Sequence, residues 1–121
     1  MNLILCDDNP DELSLLDDYI QQWDEKEGLG IQSETCRDWT ELAAALKQKE
    51  WDAVIVALSG VNGLDAAIGA DPLSRRLIWI SDLDFGVQAY RMCVTYFFMK
   101  PLSYQKMQRA LDRALKDDTL R

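Results

Sequence analysis

Several positions in this chain carry side chains whose use depends on where the fold puts them. They are the adjacent carboxylates Asp7 and Asp8, the hydroxyl of Ser81 and the ammonium of Lys100. Each closes a short apolar run, at residues 3–6, 77–80 and 96–99. Like charges as close as Asp7 and Asp8 want a cation or a lysine beside them. A lysine ammonium is a compact charge that pairs with oxyanions or carboxylates. The most apolar run, residues 53–58, contains Ala57 close to its own carboxyl end. A methyl group offers neither a metal ligand nor a nucleophile.

The elements that must position these residues alternate. Residues 3–6 read as a buried parallel strand. Asn9 caps the next helix, with Pro10 in its first turn. Leu13, Leu16, Ile20 and Trp23 recur at helical spacing, and Gly28 and Gly30 end the run. Residues 31–36 form a more polar strand. Asp38 followed by Glu41 resembles a capping box, with Leu42, Ala45 and Leu46 facing inward. The central strand at 53–58 is followed by a loop at 59–63. A short helix over 64–69 is stopped by Asp71-Pro72. Strands at 77–80 and 96–99 flank a helix over 84–92. A last helix over 103–116 carries Met107, Ala110, Leu111, Ala114 and Leu115 on one stripe, and residues 117–121 are expected to fray. This order predicts a single α/β domain spanning 1–121, a five-stranded parallel sheet with helices on both faces. In such sheets ligands sit beyond the carboxyl ends of the strands, at a switch in strand order. Asp7, Asp8, Ala57, Ser59, Ser81 and Lys100 all fall at such ends.

Composition narrows the chemistry. The 121 residues carry a net charge of −8, which repels nucleic-acid backbones and anionic membrane faces. No histidine occurs, and the three cysteines lack metal-ligand spacing. Cys6, Cys36 and Cys93 read as buried reduced thiols, and with no signal-peptide pattern they suggest a cytoplasmic protein. No apolar run is long enough to cross a bilayer. The turn after the first strand has no glycine to admit a pyrophosphate, so nucleotide binding is disfavoured.

These residues, in this order, resemble the response-regulator receiver domain, flavodoxin-like in fold, over nearly the whole chain. The resemblance implies that Asp7 and Asp8 are the family's acidic pair and that Ala57 stands at the phospho-acceptor position. It also implies that Ser81 and Phe97 are switch-like residues, and that Lys100-Pro101 is the Lys-Pro pair with a cis peptide at Pro101. The stretch from Phe85 to Pro101 is similar to receivers joined to LytTR-type DNA-binding domains. Magnesium, where the family binds it, would fall to Asp7, Asp8 and Ser59. The surface of the fourth helix, fifth strand and fifth helix dimerises in many receivers, and Tyr90, Tyr96 and Phe97 lie on it here.

The departures carry as much weight. Ala57 removes a nucleophile and a metal ligand. Asp82 adds a carboxylate to an acidic pocket with Asp7 and Asp8. A salt bridge from Lys100 to Asp7, Asp8 or Asp82 is expected in place of catalysis. The loop after the third strand lacks the family's Met-Pro, and the third helix reads as short. Together these favour a pseudo-receiver, not an enzyme, that needs no cofactor and acts by protein contacts in signalling or transcription regulation. A LytTR-type domain would then lie outside this chain. Two alternatives stay open: a conventional receiver inactivated by a substitution at position 57, and a haloacid-dehalogenase-like phosphatase. The latter's first motif needs aspartates two apart, which Asp7-Asp8-Asn9 lacks.

Overall fold

The computed structural model describes residues 1–116. Five strands alternate with five helices. They are β1 (Asn2–Cys6), α1 (Pro10–Glu27), β2 (Gln32–Cys36), α2 (Trp39–Gln48) and β3 (Ala53–Val56). After them come α3 (Gly60–Ala70), β4 (Leu77–Ser81), α4 (Gly86–Met92), β5 (Tyr96–Met99) and α5 (Tyr104–Leu111). The strands form one parallel sheet in the order β2-β1-β3-β4-β5. The order reverses between β1 and β3, which places a crevice beyond their carboxyl ends.

Side-chain alternation splits the core into two layers. Leu3, Leu5, Ile55, Ile78 and Ile80 face α1 and α5. Ile4, Val54, Val56 and Trp79 face α2, α3 and α4. Local chemistry sets the helix ends. The Asn9 side chain accepts from the amides of Asp11 and Glu12, and Gly28 ends α1 in the left-handed region at φ 66°. The Asp38 carboxylate accepts from the Glu41 amide at 2.9 Å. The Glu41 carboxylate in turn accepts from the Arg37 amide, one residue before the cap. Trp23 donates its indole N–H to Asp112 at 2.9 Å, tying α1 to the end of α5.

Three expectations need correction. The loop over 59–63 is largely helix: α3 starts at Gly60 and runs 11 residues, so the third helix is not short. Glycines at 60, 63 and 69 conceal it, because their low propensity is outweighed by burial of Ala66, Ala67 and Ala70. The fourth helix starts at Gly86, and the last α-helix gives way at Asp112–Lys116 to a π-helical turn. Cys6 and Cys36 are buried cross-strand neighbours, whereas Cys93 is exposed at the left-handed C-cap of α4. The expected fraying of residues 117–121 lies outside the described residues. Among the described residues, no helix is long and apolar enough to cross a membrane.

Gly63 shows how tightly α3 sits on the end of β3. A Cβ there would lie 1.9 Å from the Leu58 carbonyl oxygen. Gly63→Ala is expected to cost about 1–3 kcal/mol, as overpacking usually does. The urea midpoint should fall while the slope is kept. An unchanged midpoint would mean that this turn is not held against Leu58.

Candidate functional site

The pleat brings the key positions to one side. Asp7 continues the β1 positions that face α1 and α5, and Ala57 does the same for β3. The Ala57 amide donates to the Cys6 carbonyl at 2.8 Å, so the ladder carries on past the strand end. Both residues are fully buried. Lys100 arrives from β5, its amide held by the Ser81 carbonyl at 2.8 Å. The Lys100-Pro101 peptide is cis, as the resemblance implies.

Lys100 does not pair with Asp7, Asp8 or Asp82. Its ammonium lies 2.6 Å from a Glu12 carboxylate oxygen and donates to Ser59 Oγ at 3.0 Å. The Lys100 and Glu12 side chains are only 11% and 25% exposed, so this pair is partly desolvated. Glu12 was the residue missed. It belongs to the first turn of α1, which the Asn9 cap places directly over the crevice. An acidic first turn following an acidic strand end was the available signal.

The expected acidic pocket does not assemble. Asp8 is exposed and lines a separate depression with Arg37, Asp38 and Asp65. Asp82 is also exposed, and it accepts from the Gly60 amide at 2.8 Å, bracing the start of α3. Ser81 is buried and accepts from the Leu83 amide at 3.1 Å, which closes a local turn. Phe97 packs edge-on against Trp79 at 5.3 Å, and Trp79 stacks on Phe85 at 5.2 Å. Of the expected interface residues, Tyr90 is 85% exposed, while Tyr96 and Phe97 are half-buried.

Asp7 is the unusual group. Its Oδ1 accepts from the Asn9 amide at 3.1 Å, and its buried Oδ2 has no hydrogen-bond partner. Burial, and then the neighbouring Glu12 carboxylate, push its pKa up to about 7. The Asn9 amide and the Lys100 charge pull the other way without winning. The donor set does not fit a magnesium ion. Asp7 offers one buried carboxyl, Asp8 is exposed to a separate depression, Ala57 offers a methyl group, and Ser59 and Glu12 are already bonded to the Lys100 ammonium. Among the described residues, no group of three or more His, Cys, Asp or Glu side chains is placed to hold a metal.

A carboxyl whose pKa is higher in the fold than in the unfolded chain binds its proton more tightly when folded. The contribution of Asp7 is therefore greatest at low pH and is lost as pH rises from about 4 towards 7. Asp7→Asn keeps an acceptor for the Asn9 amide and removes the ionisation. It should raise stability at pH 8 by at most roughly 4 kcal/mol. It should also flatten stability against pH over that window, as read from urea midpoints. A variant less stable than wild type at pH 8 would contradict the assignment.

Comparisons with known proteins reach the fold. No protein-family model matches the chain, and no curated protein matches it significantly. Solved structures do. A two-component response regulator from Clostridium difficile superposes with TM-score 0.77 at 15% identity, with 96% of each chain covered. The response regulatory domain of protein mrkE from Klebsiella pneumoniae gives TM-score 0.76 at 15% identity, with 94% of each chain covered. Response regulator protein TrrA from Thermotoga maritima, solved with Mg(2+)-BeF, gives 0.75 at 16% identity, covering 94% of this chain and 98% of that one. With the strand order and two-sided helix packing above, this likeness establishes that the chain has the flavodoxin-like receiver fold.

Proposed function

We propose that this chain is a receiver-type domain of a two-component response regulator that has lost phosphoryl acceptance and acts through protein contacts. One observation carries the reading. Ala57 is fully buried and packs in the core layer with Leu5, Ile55 and Ile80, at the strand end where a carboxylate nucleophile would stand. The surrounding groups support it. Lys100 is engaged by Glu12, the Ser81 hydroxyl closes a turn, and Asp82 braces α3. Each is occupied in a way that leaves no bound phosphoryl group to answer.

Contacts would then fall to α4, β5 and α5, as a homodimer or with another protein. Tyr90 would be an exposed anchor, with Tyr96 and Phe97 behind it. TrrA of Thermotoga maritima has been solved in complex with the histidine kinase ThkA. The receiver domain of the sensor kinase PA1611 from Pseudomonas aeruginosa was solved with magnesium in its active-site cleft. A kinase-type partner is thus consistent with the fold, and magnesium is dispensable to this reading. A LytTR-type DNA-binding domain outside this chain, and hence a role in transcription in the cytoplasm, rests on the similarity of residues 85–101.

Incubation with acetyl phosphate and magnesium, followed by intact mass, tests the reading. Wild type is expected to gain no phosphoryl group. Ala57→Asp is also expected to stay unlabelled, because Lys100 remains paired with Glu12. Stoichiometric, magnesium-dependent labelling of Ala57→Asp would instead favour a conventional receiver blocked at one position. Labelling of wild type would remove the proposal.

A further inference from the structure

At the opposite end of the sheet from the Asp7 crevice, four segments enclose a groove of about 740 Å³. Its walls are Arg75 and Arg76 entering β4, Tyr90 and Cys93 at the end of α4, and Thr95 entering β5, with Arg113 from the turn after α5. Among the described residues, no acidic side chain lines it. That is unexpected in a chain with 21 acidic and 13 basic residues. Several cations elsewhere are ion-paired: Arg37 with Glu41, Lys49 with Glu34, Lys100 with Glu12, Lys116 with Glu27. Arg75 and Arg76 make no ion pair among the described residues. Glu50 shares a neighbouring depression with Arg75 without pairing to it. Thr95 Oγ1 accepts from the Leu77 amide at 3.2 Å, which leaves its own hydrogen for another acceptor.

Guanidinium forks match carboxylates in two-point contacts. Tyrosine and arginine are also the side chains that most often dominate binding energy at protein interfaces. Arg75, Tyr90 and Cys93 are exposed, so the groove is open along its length. A small ligand wants enclosure, whereas an extended segment does not. We infer that this groove docks an acidic segment of a partner protein. The segment's carboxylates bind Arg75 and Arg76, and an intervening side chain lies on Tyr90. The inference names a partner chemistry for the contact face proposed above. It rests on that reading only in sharing Tyr90 with it.

The probe is a fluorescein-labelled octaglutamate peptide, titrated with the full chain by anisotropy and by amide NMR. A net charge of −8 repels such a peptide everywhere else, so binding reports a local site. Amide shifts are expected at residues 75–76 and 93–95. Arg75→Gln/Arg76→Gln should weaken binding about tenfold, as loss of close charge pairs does. Lys26→Glu, on α1 across the sheet, makes the same change in net charge and should leave affinity within about twofold. Absent binding, shifts elsewhere, or equal losses in both variants would overturn the inference. Inorganic phosphate binding as tightly as the peptide would assign the groove to a small oxyanion instead. Self-association lost only in Arg75→Gln/Arg76→Gln would assign it to a second copy. None of these outcomes bears on the acetyl phosphate result, so the two readings fail separately.

Discussion

The ammonium of Lys100 sits between a Glu12 carboxylate oxygen at 2.6 Å and Ser59 Oγ at 3.0 Å, at the rim of a crevice floored by buried Asp7. Each partner brings a different element: α1, the end of β3 and the end of β5. A partly desolvated pair of this kind is costly to break, because either charge left alone keeps its desolvation penalty. The lysine thus fastens two strand ends to the first turn of α1. In doing so it is removed from service as a ligand for anything arriving from solvent.

Asp7 is the counterpart of that arrangement. Lys100 is already satisfied by Glu12 and compensates Asp7 only in part, so burial and the Glu12 charge keep the Asp7 proton on until about neutrality. Ala57 adds no charge to this crevice, and the Lys100–Glu12 pair balances its own. The methyl group of Ala57 thus sits beside side chains already bonded within the fold. Asp82 and Ser81 complete the pattern, since both spend their oxygen atoms on backbone amides that shape the next loop. The exposed Tyr90 and the arginine groove at the foot of β4 are open to solvent.

Much of the fold was legible because local chemistry and periodicity agreed. Asn9, Gly28, Asp38 and Ser103 mark helix ends by mechanisms that work within a few residues. Apolar runs located four of the strands, the more polar β2 following from its place between two helices, and alternation placed Asp7 and Ala57 on one face. The start of α3 was not legible. Gly60 and Gly63 argue locally for a loop; Gly60 does turn the chain at φ 65°, while the packing that holds Gly63 in the helix comes from Leu58. The partner of Lys100 was missed for a related reason. Glu12 is 88 residues away in sequence, and nothing short of the α1 entry angle says which of several nearby carboxylates reaches the ammonium. The exposure of Cys93 likewise depends on where α4 ends, and not on the apolar residues around it.

A crystal soaked with magnesium and beryllofluoride tests the central claim most directly, because that reagent fills an acceptor site without needing a kinase. The account expects Lys100 still bonded to Glu12 and no fluoride density beside Ala57. Fluoride density bonded next to an oxygen of Ser59 or Asp82, with Lys100 drawn away from Glu12, would contradict it.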